Sequence, residues 1–462
     1  MGLQKVDVWL DIGREGRLFA YADGKNLGLE IGDIVLVKLR GRFMHGLVSK
    51  KYSSDDSIED SFDIKQEEIS LVNVESIVQR AAADESWREW LGNAAVRCHT
   101  SSFQMIKTAL PPGWLNYRKS KYLEPKKYWW IELSKHIMSG KETTKKQKEL
   151  KAELLRIGGG SWQKDLLKKG FSLELLKRGL KNDLIFRERR YLLSKKFSTD
   201  KENISGSFSL EPARKLTEEQ QCALKAFECQ PGGTAFLLWG VTGSGKTEVY
   251  LHMASHELSR GRHCLILAPE IGLIPQLVDR CRKRFGTQVL EYHSGCSDKE
   301  RIQVWKKIIK SNSPLVVVGT RSAIFLPLSP LGLIVLDEEH DSSYKQEQPM
   351  PCYHARDLAI DRVKNSSAKV VLGSATPSLA TWRKLRPKGD ISVARLSRRI
   401  ADRPLPKVYV IDMRQELAAG NRRLVSRSLL ERLSLLPQKN EQAIILVPRR
   451  GYSSFLSCRS CG

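Results

Sequence analysis

No stretch of the sequence approaches the ~18 consecutive apolar residues that cross a bilayer, and Met1 to Leu10 has no apolar run between a basic start and a small-residue cleavage site. These absences argue against a membrane-embedded or secreted class and predict a cytoplasmic protein with no membrane partner. Cysteine is sparse too, nine in 462 residues. Cys98, Cys222, Cys229, Cys264, Cys281 and Cys296 fall in helix-like or strand-like segments, and Cys352 stands alone in a polar loop. None of these seven has ligand-type spacing, so reduced thiols are expected rather than a disulfide scaffold. Only Cys458 and Cys461, a Cys-x-x-Cys pair, are spaced as zinc ligands. Acidic residues are also in deficit: 52 Asp and Glu face 77 Lys and Arg, a formal net charge of +25. Such an excess attracts a polyanion, and the commonest one is a phosphodiester backbone. Residues 111–200 concentrate it, with 23 basic against 10 acidic side chains.

The length allows three or four domains at roughly 100 to 200 residues each. Residues 1–112 begin with short apolar runs (Val6 to Leu10, Ile34 to Leu39, His45 to Val48) punctuated by glycines, the pattern of a small β-rich module. A helical stretch near Asp84 to Val96 follows. Residues 113–196 carry three helical patterns, Lys145 to Ile157, Ser161 to Lys169 and Ser172 to Lys181, then a short basic strand over residues 183–190. This outlines a winged helix, with a plain three-helix bundle as the alternative. Residues 197–214 read as a linker. From 215 to 395, strands at Thr234–Trp239, His263–Ala268, Leu315–Gly319, Leu331–Leu336 and Lys369–Leu372 are nearly continuous apolar runs. They predict a doubly wound parallel α/β lobe with both faces covered. A second alternation over 396–462, with strands at Val408–Asp412 and Ala443–Val447 and a helix over Arg427–Leu436, predicts part of a second lobe.

Gly240-Val241-Thr242-Gly243-Ser244-Gly245-Lys246-Thr247 matches G-x-x-x-x-G-K-[ST] between an expected strand and an expected helix. Its backbone N–H groups can wrap a β-phosphate, Lys246 can reach the β and γ oxygens, and the Thr247 hydroxyl suits a Mg²⁺ position. Asp337-Glu-Glu-His340 follows the next-to-last apolar strand. Asp337 is the expected Mg²⁺ ligand, Glu338 the expected general base and His340 a coupling residue. Gly373-Ser374-Ala-Thr376 offers two hydroxyls able to sense a γ-phosphate.

A P-loop, Asp-Glu-Glu-His and Ser-Ala-Thr in this order resemble superfamily 2 helicases, with a RecA-like ATP-binding lobe. Trp239 to Leu251, Ala268 to Gln276, His293-Ser-Gly295, Gly319 to Phe325, Asp337 to Gln346 and Val447 to Tyr452 are similar to the PriA family. The resemblance implies an ATP- and Mg²⁺-dependent 3′-to-5′ DNA helicase. It would act on single-stranded, forked and D-loop DNA, with primosome proteins and single-stranded DNA-binding protein as partners. It implies Gln220 beside the adenine, and Arg321, Tyr344 and Lys345 as DNA contacts. For Tyr344, plain anchoring of its loop to the core is the alternative. It further implies a 3′-end pocket at Phe19-Ala20-Tyr21, where Ala20 replaces the family's Asp. Cys458 and Cys461 match its first zinc pair, and Zn²⁺ is expected in the longer family members. The remaining cysteines and later second-lobe motifs have no counterpart in this sequence, so weak zinc retention and little strand separation are expected. A rival function is a DNA-binding primosome assembly factor that does not unwind.

Overall fold

The computed structural model describes residues 4–13, 16–52, 71–80, 82, 84–117, 127–134, 144–156, 160–182, 184–191, 211–385, 391–402, 404 and 406–446. No described helix is long and apolar enough to cross a membrane. Residues 1–401 and 402–462 form two compact units.

The N-terminal sheet joins β1 (Lys5–Leu10), β2 (Arg17–Ala22), β3 (Ile34–Leu39), β4 (Arg42–Lys51) and β5 (Ser76–Gln79) in the order β2-β1-β4-β3-β5. Alternation puts Val6, Val8, Leu10, Val35, Val37 and Val48 inside. The β3–β4 turn has only two residues, Arg40 and Gly41, both at positive φ, matching the right-handed twist of the strands. The expected helix spans Glu85–Arg97, capped by the Asp84 carboxylate, and a second spans Ser102–Ala109. Both share a core with residues of the 215–395 segment rather than standing apart. Trp87 Nε1 donates to Phe325 O (2.7 Å), Trp305 Nε1 donates to Ala82 O (3.0 Å), and Arg97 pairs with Asp361.

Within residues 127–191, β6 (Lys127–Leu133) is flanked by β7 (Gly160–Trp162) and β8 (Ile185–Tyr191) in an antiparallel sheet. Helices Lys145–Arg156, Gln163–Lys168 and Leu173–Lys181 accompany it, and Ile131, Leu150, Leu154, Leu166 and Leu176 form the core. The sheet rules out a plain three-helix bundle. Ser161 and Trp162, expected to open a helix, instead lie in β7 paired to β6, which shortens the following helix.

The third element is a seven-stranded, wholly parallel sheet, ordered β11-β12-β10-β13-β14-β9-β15. Its strands are β9 (Ala235–Gly240), β10 (His263–Leu267), β11 (Val289–Tyr292), β12 (Val316–Gly319), β13 (Leu331–Leu336), β14 (Lys369–Ser374) and β15 (Ile391–Leu396). The five expected strands are its interior, and the edges β11 and β15 are additions. Because β13, β14 and β9 are neighbours, the segments leaving their carboxyl ends converge on one edge, where ligands bind in open α/β sheets.

In the 402–462 unit the helix forms over Arg427–Lys439, capped by Ser426. Among the described residues, 408–412 and 443–446 do not form the expected strands. Residues 408–411 and 443–446 have no ladder partner among the described residues, and Val410 and Ile444 are 93% and 100% exposed. A strand-forming composition makes a strand only where another edge takes its hydrogen bonds.

Candidate nucleotide site and its couplings

The P-loop leaves β9 and enters the helix Lys246–Ser259. Gly243 (φ 84°) and Gly245 (φ 80°) are in the left-handed region, where a side chain would strain the backbone. A Cβ on Gly245 would also meet Gln220 Nε2 at 2.5 Å. Lys246 is buried, with Nζ 3.0 Å from Gly240 O and 3.7 Å from Glu338 Oε1. Ser244 Oγ is enclosed and makes no hydrogen bond, a polar atom that phosphate would satisfy. A cavity of about 660 Å³ opens here, lined by Thr242, Gly243, Gly245, Lys246, Thr247 and, opposite them, Asp337 and Glu338. Arg214, Lys215, Arg280 and Lys283 line it further out. The Gln220 side chain is buried between two tasks: Oε1 accepts from Thr217 N–H as part of a capping box, and Nε2 donates to Ser244 O at 2.8 Å.

Asp337 follows β13. Tyr250 donates its hydroxyl hydrogen to Asp337 Oδ1 (3.1 Å), and Gly373 has no side chain because Tyr250 occupies that space. Burial, reinforced by the charge of Glu338, pushes the Asp337 carboxyl above its usual range, against the pull of Tyr250 and Lys246. A divalent cation beside it would relieve that cost, so Asp337 and Thr247 fit a Mg²⁺ site. Glu338 sits at φ 48°, an uncommon conformation for a residue with a side chain. The geometry aims its carboxylate toward both Lys246 and His340, the latter at 3.6 Å. His340 Nδ1 lies 2.8 Å from Ser374 Oγ, which accepts from Thr376 N–H at 3.0 Å.

Glu339, which the motif-by-motif reading passed over, is fully buried. Its carboxylate accepts from Ser378 N–H (2.7 Å), Thr381 Oγ1–H (2.9 Å) and the Arg356 guanidinium (3.4 Å). It therefore locks three segments together, those of Asp-Glu-Glu-His, Ser-Ala-Thr and residues 345–356. An acid inside a motif, three residues from the sheet edge, was the available signal. The segment after β15 was also missed. Arg399 Nε donates to Thr242 O and Ile400 N–H to Gly243 O, so the chain leaving the lobe is fastened to the P-loop.

Two expected DNA contacts are corrected. Tyr344 is fully buried, and its hydroxyl lies 2.9 Å from Leu267 O and 2.6 Å from Asp337 O. Its ring is inside the core and cannot stack on a base; it anchors its loop instead. Tyr21 is likewise buried, at 2% exposure, and its hydroxyl donates to Lys38 O. Phe19 is half-buried against the core of the same sheet. Arg321 donates to Ser343 O and Lys345 O, bracing that loop, while Lys345 is exposed beside Glu347. Cys458 and Cys461 lie outside the described residues. No cluster of three metal-type ligands occurs among the described ones.

Residues 217–385 match the DEAD/DEAH box helicase family. With the parallel sheet and the P-loop at its edge, this defines a helicase-type RecA-like lobe. Among curated proteins, the chain is 43% identical over 354 residues to replication restart protein PriA of Synechocystis sp., covering 74% of this chain and 41% of that protein. The PriA proteins of Bacillus subtilis (47% over 250 residues, 54% of this chain and 31% of that protein) and Haemophilus influenzae (40% over 247 residues, 54% and 33%) also match. The chain is PriA-like in sequence, and it spans less than half the length of these relatives.

Proposed function

We propose that this chain is the nucleotide- and DNA-binding portion of a PriA-type helicase, an ATPase stimulated by DNA that acts at stalled or branched forks and starts primosome assembly. The observation that carries the reading is the unbroken path Lys246–Glu338–His340–Ser374, which ties the phosphate-binding lysine to the switch hydroxyls. In this reading Lys246 and the P-loop N–H groups hold the β and γ phosphates. Thr247 and Asp337 would hold Mg²⁺, which neutralises phosphate charge. Glu338 accepts a proton from the attacking water, and His340 relays the change at Glu338 to Ser374. The basic residues of 111–200 supply phosphate contacts, and unwinding proceeds 3′ to 5′ as the family resemblance implies.

The test is phosphate release from ATP by this chain with and without single-stranded and forked DNA. Stimulation by DNA supports the reading. Turnover that ignores DNA removes the coupling, and DNA binding without any turnover favours the non-unwinding assembly factor.

A further inference from the structure

Two adjoining cavities lie where the N-terminal module meets the helicase lobe, away from the nucleotide pocket. The first, about 490 Å³, is walled by Lys107 and Asn116 on one side and by Arg301, Ser322, Gln346 and Tyr353 on the other. The second, about 450 Å³, is lined by Arg42, Phe43, Met44 and Tyr117. They share Asp11, Leu115 and Asn116, so they run on as one groove.

At the β3–β4 tip the rings of Phe43 and Tyr117 lie 5.7 Å apart, and Phe43 is 40% exposed. Lys38 Nζ sits 4.9 Å from the centre of the Phe43 ring, and Arg42 is exposed beside it. In the first cavity the Arg301 guanidinium lies over the Tyr292 ring at 5.2 Å, with its enclosed Nε making no hydrogen bond. Asp11 is the one carboxylate among the residues lining either cavity, and Lys107 neutralises it at 2.6 Å. Aromatic faces with interleaved cations suit stacked bases and their phosphates, without a preference for sequence. Each cavity has the volume of a small-ligand pocket.

We propose that this groove carries single-stranded DNA, with Phe43 and Tyr117 as its stacking platform and Arg42 and Arg301 as phosphate contacts. The inference rests on the DNA-binding reading above and gives it a site outside Phe19, Tyr21 and Tyr344. It also supplies a physical route for stimulation. Gln346 and Tyr353 wall the groove and are hydrogen-bonded to each other through their backbones, in the loop that Tyr344 pins to the Asp337 carbonyl.

The experiment is fluorescence anisotropy of a labelled oligo(dT) titrated with the full chain, paired with nucleotide affinity as the check that each variant is folded. Phe43→Ala is expected to weaken oligo(dT) binding about tenfold. Tyr117→Phe, which keeps a stacking ring, should stay within about twofold of the parent, whereas Tyr117→Ala should not. Arg42→Ala should reduce the slope of log affinity against log salt by about 0.7, the loss of one single-strand phosphate contact. Parental affinity in both Phe43→Ala and Tyr117→Ala would overturn the groove while leaving the DNA-binding reading intact. Absence of oligo(dT) binding by the parent would overturn both.

Discussion

His340 Nδ1 and Ser374 Oγ are 2.8 Å apart, which joins the strand end that carries Asp337 and Glu338 to the neighbouring strand end that carries the Ser-Ala-Thr segment. Neither residue lines the nucleotide cavity. His340→Ala should therefore keep nucleotide affinity and a basal hydrolysis rate within a few-fold of the parent, and lose most of the stimulation by single-stranded DNA. Steady-state hydrolysis across a DNA titration measures this. Full stimulation in the variant would place the coupling elsewhere.

Asp337 and Glu338 are adjacent carboxylates in different environments, and their amide variants should part company. Glu338→Gln keeps the side-chain shape and removes the base, so hydrolysis should fall by about 10²- to 10⁴-fold with nucleotide affinity retained. Asp337→Asn should weaken the Mg²⁺-dependent part of binding. It should also make the nucleotide-free chain more heat-stable at neutral pH. The folded-state pKa of Asp337 is raised by burial, so what this group contributes to stability is present at low pH and lost as pH rises through that pKa. At neutral pH the buried charge is a cost that the amide removes. The difference in Tm should shrink as pH falls through the carboxylate range; a less stable Asp337→Asn chain at neutral pH would contradict the assignment.

Tyr344 is a structural residue in this fold. Tyr344→Phe removes a hydroxyl placed between Leu267 O and Asp337 O and should cost about 1–3 kcal/mol in chemical denaturation. Tyr344→Leu should cost at least as much and leave oligo(dT) affinity within about twofold. A selective loss of DNA affinity in Tyr344→Leu, at unchanged stability, would restore the stacking role.

The helix Glu85–Arg97 belongs to the helicase lobe by packing, although it follows the N-terminal sheet in sequence. Trp87 is buried, meets Trp305 edge-on at 5.8 Å and donates to Phe325 O. Trp87→Ala should cost about 3–5 kcal/mol, the usual range for losing a buried large aromatic. A cost below about 1 kcal/mol, far under that range, would mean that the helix docks loosely.

The sequence was most legible where both faces of an element are covered. Strands β9, β10, β12, β13 and β14 are interior, read as unbroken apolar runs, and bring the P-loop, Asp337 and Ser374 to one edge. Edge strand β15 keeps alternate residues exposed and β11 is only four residues long, so neither shows such a run. The contacts of Arg399 and Ile400 with the P-loop were hidden with β15, since nothing local in Ser-Arg-Arg-Ile marks them. Tyr21 and Tyr344 are ambiguous in sequence for another reason. A tyrosine in a motif carries the same letters whether its ring faces solvent or its hydroxyl is pinned to backbone carbonyls. Phe43 and Tyr117 are 74 positions apart in the sequence, and only folding makes them a pair.

The central claim is that nucleotide and DNA sites on this chain are energetically linked through the loop and motif contacts around Asp337. Linkage is reciprocal, so it is read most directly as the affinity of a fluorescent ATP analogue with Mg²⁺, measured without DNA and at saturating oligo(dT). The predicted result is a change of about fivefold or more, abolished in His340→Ala. Identical affinities in the two conditions would contradict it.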